Sequence, residues 1–342
     1  MKTISIKKLP RKVLIIKPSS LGDVVHSLPF LDAMNETFRT AEIHWVIARG
    51  LEGLLDSHPM VHKLWIINKD QWKNVRRIKG TVTEVRELFR ALRDERFDIT
   101  VDLQGLLRSG LITRATLAPI RVGFGEAREG SGLFYTHKVT GGREIHAVDR
   151  YLKIAAALGC EIKAVRFPLP LIKESKKVQL LKEEMGSYAV IVPGARWMTK
   201  RWPARRFGTI ASFLPMRSVV IGALSDAEMG KEIESASGGK AWSMAGKTDL
   251  KELISIIRGA RLAITNDSGP MHIAAACGIP VVAIFGPTNP VRTGPYGKNN
   301  AILQTDAVCA PCYKKSCKTM RCMDDVTIER VLKAINSVMR NG

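Results

Sequence analysis

Short apolar runs of strand length alternate along this chain with stretches of helical period. In the first half the runs are Val13–Lys17, Glu42–Ile47 and Asp98–Leu103, and in the second Ala189–Val192, Ser218–Gly222, Leu262–Thr265 and Val281–Phe285. Helical spacing is clearest over Val24–Met34, Leu250–Arg258 and Pro270–Cys277. Strands alternating with helices predict parallel βαβ units and an α/β fold. The stretch from Arg166 to Lys177 carries two prolines and several charges and reads as a linker. The boundary therefore falls near residue 170, with a first domain over 1–170 and a second over 171–342. A chain of 342 residues is long enough for both cores. Two open α/β domains joined in this way are expected to face each other across a central cleft. Ligands in such folds bind just outside the carboxyl ends of the strands, so the loops that follow strands are the ones to read.

Composition narrows the class. A hydrophobic content of 45% and a charged content of 25% are those of a globular protein. No apolar run approaches the roughly 20 residues of a membrane span. The basic stretch Met1–Lys12 leads into too few apolar residues for a signal-peptide core, which predicts a protein that stays in the cytoplasm. The net charge of +21 is spread over both halves and is no basic tail. It favours an anionic partner: nucleic acid, an acidic membrane face or a phosphorylated substrate. The basic stretch Gln71–Lys79, continued by Arg86, Arg90, Arg93 and Arg96, reads either as a segment that touches anionic headgroups or as an ordinary solvated helix face.

Three loops carry candidate chemistry. The first, Pro18-Ser-Ser-Leu-Gly-Asp23, follows a strand and opens a helix; Gly22 permits a tight backbone, and Ser19 and Ser20 can cap or bind oxygen ligands. Asp23 at the helix start is placed to accept a proton, or is simply a cap. The second loop is Thr265-Asn-Asp-Ser-Gly-Pro-Met-His272. Pro270 suits a first helical turn, and Ser268, Gly269 and the amides behind them make an anion pocket fit for a diphosphate. Asp267 can accept from a sugar hydroxyl. His272 reads as a phosphate contact or as a structural histidine. The third loop, Pro193–Pro203, groups Arg196, Lys200 and Arg201 beside Trp197 and Trp202. Such cations stabilise a leaving diphosphate without a metal, although stacking tryptophans among cations also suit a nucleic-acid patch. Phe285-Gly-Pro-Thr288 could border the same pocket. There is no P-loop, no Gly-x-Gly-x-x-Gly after the first strand and no Asp-x-Asp pair for a magnesium ion. Arg121 and Arg128 are weaker candidates for binding acceptor carboxylates or phosphates. Cys309, Cys312, Cys317 and Cys322 are spaced as a cluster that could hold a structural metal, form a disulfide or remain thiols. Cys160 and Cys277 lie in apolar surroundings and belong to the core.

In their order and placement these loops resemble glycosyltransferase family 9, the ADP-heptose:lipopolysaccharide heptosyltransferases of Gram-negative bacteria. Ser19-Ser-Leu-Gly-Asp-Val-Val-His-Ser-Leu-Pro29 is similar to the family's N-terminal signature. Asp102–Ser109 and His146–Arg150 resemble its heptosyltransferase I members; Lys200–Pro203, Asn266–Gly269 and Phe285–Thr288 are shared more widely. The resemblance implies a GT-B fold of two Rossmann-like domains, the first binding the acceptor and the second the nucleotide sugar. The last helix is expected to pack back on the first domain. The implied reaction is inverting and metal-independent, with no cofactor and no nucleic-acid partner, at the cytoplasmic face of the anionic inner membrane. It implies Asp23 as the base that deprotonates a hydroxyl of Kdo-lipid A or of the heptosylated inner core. Lys200 would contact the diphosphate of ADP-heptose, with Ser19, Ser20 and Gly22 on the donor. Asp267 would hold heptose hydroxyls, Ser268, Gly269 and His272 would line the phosphate pocket, and Asp226 would take the ribose. Arg196-Trp-Met198 departs from the small hydroxyl residues of heptosyltransferase I, which leaves Thr199 to take their place. The Pro193-Gly-Ala start and the cysteine-rich tail are more like heptosyltransferase II.

Overall fold

A computed structural model describes residues 3–70, 72, 78–142 and 144–340. The chain divides into two compact units, Met1–Leu171 and Ile172–Gly342. In the first, the elements are β1 (Lys12–Ile16), α1 (Leu21–His26), α2 (Leu28–Thr37), β2 (Glu42–Ala48), β3 (Lys63–Ile67), α3 (Ile78–Asp94), β4 (Ile99–Asp102), α4 (Leu107–Ala115), β5 (Ile120–Phe124), β6 (His137–Val139) and α5 (Ala147–Ala157). The second begins with α6 (Lys176–Met185), β7 (Tyr188–Val192), α7 (Ala204–Phe213), β8 (Arg217–Val220), α8 (Ala227–Ala236), β9 (Ala241–Ser243) and α9 (Leu250–Arg258). It continues with β10 (Leu262–Asn266), α10 (Gly269–Ala276), β11 (Val281–Phe285), α11 (Pro290–Thr293), β12 (Asn300–Gln304), α12 (Arg321–Asp324) and α13 (Ile328–Arg340).

Each unit holds one all-parallel, six-stranded sheet. The first runs β3-β2-β1-β4-β5-β6, and the second β12-β11-β10-β7-β8-β9. Renumbered within its unit, the second has the same order as the first, the Rossmann order. The direction of strand addition reverses between β1 and β4 in one sheet and between β7 and β10 in the other. Helices cover both faces, as a parallel sheet requires. In the first unit α3 and α4 pack through Leu92 and Ile112 over Leu14, Ile16, Val46 and Ile67, while α1, α2 and α5 cover the other face. In the second, α7 and α13 close over Ile191, Val220, Ile264 and Ile284. The C-terminal helix α13 lies against β11, β12 and α7 of its own unit. Among the described residues no helix is long and apolar enough to cross a membrane.

The helix expected over Val24–Met34 is two helices. Ser27 separates α1 from α2, and Pro29 sits in the first turn of α2. A proline there has no N–H to give to the preceding turn and collides with the carbonyl four residues back, so the helix stops and restarts. Most of the expected basic segment 71–79 lies outside the described residues. At the first residue of the linker, Arg166 pairs with Asp32 at 2.9 Å and with Glu36, both on α2.

At the amino ends of the first sheet, His44 is buried, and burial pushes its pKa down to about 4. Trp65 Nε1–H donates to its Nδ1 at 3.2 Å, so neutral His44 carries its proton on Nε2, towards Glu42. Folded protein therefore binds fewer protons than unfolded protein between pH 6.5 and 4. Stability should be full above pH 6.5 and fall by about 3 kcal/mol by pH 4 from this group. Urea midpoints measured across that window check this, and His44→Gln should flatten the fall.

Candidate functional site

The site residues of the first unit stand at the switch between β1 and β4. Lys17 follows β1 and is buried, its ammonium 3.7 Å from Asp23 Oδ1 and 3.3 Å from the Leu103 carbonyl. Burial works against its charge, but Asp23, Tyr151 and Asp102 outweigh burial and raise its pKa. Asp23 lies in the first turn of α1, with its side chain 37% exposed, so it is open to a substrate. Its Oδ2 accepts from the Ser20 N–H at 2.9 Å and from the Ser20 hydroxyl at 2.7 Å. Ser20 is thereby committed to aiming Asp23, where the sequence suggested a donor contact. Ser19 is half-buried beside it, and Gly22 is buried within α1. Asp102, at the end of β4, is buried with a raised pKa and accepts from Tyr135 at 2.7 Å and from the Gln104 and Gly105 amides.

The two arginines proposed for an acceptor part company. Arg121 stands at the amino end of β5, away from the strand-end loops, and its guanidinium donates to the Phe134 and Ala118 carbonyls at 3.0 and 2.7 Å. That locks it into the fold and removes it from the strand-end constellation. Arg128, past the carboxyl end of β5, is exposed, and its backbone N–H bonds Gly105 of the loop after β4.

In the second unit the loops after β7 and β10 meet at the corresponding switch. Lys200 Nζ lies 2.6 Å from Asp267 Oδ2, which also accepts from Thr288 at 2.6 Å. The ammonium sits over the Trp197 ring, 4.6 Å from its centroid. Buried Asn266 staples the two loops: its Nδ2 donates to the Pro193 carbonyl at 2.7 Å and its Oδ1 accepts from the Trp202 N–H at 3.2 Å. Ser268 caps α10 from an extended conformation, and its buried Oγ has no hydrogen-bond partner among the described residues. The amides of the first turn lack intrahelical partners, Pro270 excepted, so Ser268, Gly269 and Met271 can present N–H groups to an anion. His272 is buried one turn inside.

Asp226 follows β8, the second strand of this Rossmann unit, where ribose-binding acids commonly stand. Its Oδ2 accepts from the Ala223 N–H at 2.9 Å, and Arg201 lies 3.8 Å from Oδ1. Gly194 is required here, because a Cβ on it would fall 2.3 Å from Asp226 Oδ2. Thr199, expected beside the phosphates, is buried and donates instead to the Lys314 carbonyl at 2.8 Å. It ties the cysteine-rich tail to the Lys200 loop. All six cysteines are unpaired thiols. Among the described residues the one group of three that could converge on a cation is Glu42, His44 and His62; the four tail cysteines do not form such a group.

Sequence reading assigned no role to three positioning residues: Lys17, Tyr135 and Asn266, the last named there only as part of a shared motif. Lys17 passed as the polar end of a strand; the other two act through contacts far along the chain. Asn266→Ala would orphan the Pro193 carbonyl and the Trp202 amide, and should cost about 3 kcal/mol of stability in urea unfolding while raising KM for the second unit's ligand.

Two Rossmann-ordered units with polar constellations at both switch points define the GT-B class of glycosyltransferase fold. The description of glycosyltransferase family 9 (heptosyltransferase) matches residues 85–322. Lipopolysaccharide heptosyltransferase 1 of Pseudomonas aeruginosa is 31% identical over 323 residues, covering 90% of this chain and 87% of the relative. Lipooligosaccharide heptosyltransferase 2 of Campylobacter jejuni is 28% identical, covering 97% and 99%. Among solved structures, a family 9 glycosyltransferase from Veillonella parvula aligns with a TM-score of 0.80 at 24% identity, over 97% of this chain and 98% of that one. The E. coli heptosyltransferase WaaC with ADP aligns at 0.78 and 23% identity, over 96% and 99%. This chain belongs to glycosyltransferase family 9, the heptosyltransferases, and is an enzyme of that class.

Proposed function

We propose that the enzyme transfers heptose from ADP-L-glycero-D-manno-heptose to a Kdo hydroxyl of the lipopolysaccharide inner core, with inversion and without a metal. The observation that carries this reading is the second unit's switch point, where Lys200 is held 2.6 Å from Asp267 beside the start of α10. A cation, free amides and an unbonded Ser268 hydroxyl suit a diphosphate there, and the uncommitted Oδ1 of Asp267 suits a sugar hydroxyl. Asp226 takes the adenosine ribose. The first unit binds the acceptor, with Arg128 as a contact for its anionic groups and Asp23 as the base.

In the reaction Asp23 accepts the proton of the acceptor hydroxyl as its oxygen attacks the anomeric carbon. The bond from that carbon to the diphosphate oxygen breaks, and ADP leaves with the electron pair. Lys200 and the first-turn amides of α10 stabilise the charge that develops on the leaving oxygen, the part a metal plays elsewhere. Because these groups supply that charge, excess EDTA should leave turnover unchanged. The relatives called lipopolysaccharide heptosyltransferase 1 support the first-heptose reading, and the reaction then takes place at the cytoplasmic face of the inner membrane.

Mass analysis of products from ADP-heptose with Kdo-lipid A, and separately with an already heptosylated acceptor, tests the reading. One heptose added to Kdo-lipid A is expected. Addition only to the heptosylated acceptor assigns the second position, and no addition to either contradicts the proposal.

A further inference from the structure

Three leucines stand out to solvent around the start of α4. Leu107 and Leu111, one turn apart on the same face, are 45% and 42% exposed, and Leu133 is 84% exposed. Single exposed leucines occur on any protein surface. These three stand on two elements in direct contact: the turn Ser131–Phe134 packs on α4 at Gly110, where a Cβ would fall 2.6 Å from Phe134 and 2.9 Å from Ser131. Gly110 thus lets the turn that displays Leu133 lie flush against the helix that displays Leu107 and Leu111.

Arginines rim this apolar face. Arg114 follows Leu111 by three residues on the outward side of α4 and is exposed. Arg128 is exposed in the turn before Leu133. Arg108 lies on the other flank, its guanidinium 5.4 Å from the Trp72 ring and donating to the Lys69 carbonyl at 3.2 Å. Glu129 also lies at the rim, but its carboxylate accepts from the Leu107 N–H. Apolar side chains ringed by cations fit the surface of a bilayer that carries anionic lipid: the leucines enter the headgroup boundary while the arginines meet phosphates. The position fits as well. Helix α4 begins directly after the carboxyl-end loop of β4, the strand beside β1 whose loop carries Asp23.

We infer that the α4–Ser131–Phe134 face docks the first unit onto an anionic phospholipid surface. The functional meaning of this docking rests on the lipid-acceptor reading above: a sugar anchored in a bilayer stands close to its plane, so the protein around the base must meet the headgroups.

The test uses the full chain and sedimentation with vesicles of phosphatidylethanolamine and phosphatidylglycerol, with phosphatidylcholine vesicles as the neutral comparison. Leu107→Ser/Leu111→Ser/Leu133→Ser should reduce partition onto the anionic vesicles by at least about tenfold. Leu133→Asp, at a position too exposed to affect folding, should reduce it in the same direction. With Kdo-lipid A in the same vesicles the triple variant should lose turnover in proportion, while turnover of a deacylated, water-soluble acceptor stays at the wild-type level. Undiminished vesicle binding by both variants would overturn the docking, as would equal loss on the two acceptors. Leucine-dependent vesicle binding without transfer to either acceptor supports the docking and removes the functional reading instead.

Discussion

Asp23→Ala should lower kcat by about a thousandfold, the scale on which a positioned general base acts, while leaving the KM for the nucleotide sugar close to wild type. The side chain is built to present one carboxylate oxygen. Ser20 holds Oδ2 through two hydrogen bonds, and the buried ammonium of Lys17 lies beside Oδ1. Removing the carboxylate also takes a counter-charge from the buried Lys17 ammonium, so the variant should fold but melt below wild type. Steady-state kinetics with both substrates varied will separate the two parameters. Ser20→Ala should be far milder than Asp23→Ala, because Lys17 and the Ser20 amide still aim the carboxylate.

Lys200→Ala should lower kcat by about 100- to 1000-fold, the range seen when one stabilising group for a developing oxyanion is removed, and should weaken ADP binding as well. Among the described residues it also leaves the buried Asp267 carboxylate with only the Thr288 hydroxyl as partner. Losing half of a buried pair is more harmful than losing both, so Lys200→Ala should melt lower than Lys200→Ala/Asp267→Ala. Lys200→Arg should recover little activity. Its longer, forked head can still stack on Trp197 and pair with Asp267, but it spreads the charge and moves it from the point where the compact ammonium sits. Thermal melts and single-turnover rates on the four proteins measure both effects.

The central strands were legible because a parallel sheet buries them on both faces: β7 and β11 are buried at every position and read as unbroken apolar runs, and β10 is equally buried, with polar Thr265 and Asn266 only at its carboxyl end. The edge strands β3, β6, β9 and β12 are partly exposed, so no continuous run marks them, and β5 opens on Ile120 and Arg121, both only half-buried. The loops that hold Asp23, Lys200 and Asp267 were legible because each follows a readable strand. What a loop residue does with its side chain was less so. Thr199 and Lys200 are adjacent, yet one hydroxyl turns to the Lys314 carbonyl and the neighbouring ammonium to Asp267. Arg121 looked like a candidate anion contact, but its partners are carbonyls supplied by the turn of Phe134 and by Ala118. Such commitments are set by contacts distant in sequence, which spacing alone does not encode.

The two units repeat one strand order and place their chemistry at the same topological point, yet the chemistry differs. One switch point offers a carboxylate flanked by a buried cation; the other offers a cation paired to a carboxylate beside a helix start. In the proposed reaction, proton removal falls to the first and leaving-group charge to the second. Calorimetric titration of ADP into Asp23→Ala tests that division most directly. Affinity within about twofold of wild type, in a protein whose turnover has fallen by about a thousandfold, is the predicted result. A loss of ADP affinity as large as that of Lys200→Ala would place Asp23 in the nucleotide site and contradict its role as the base.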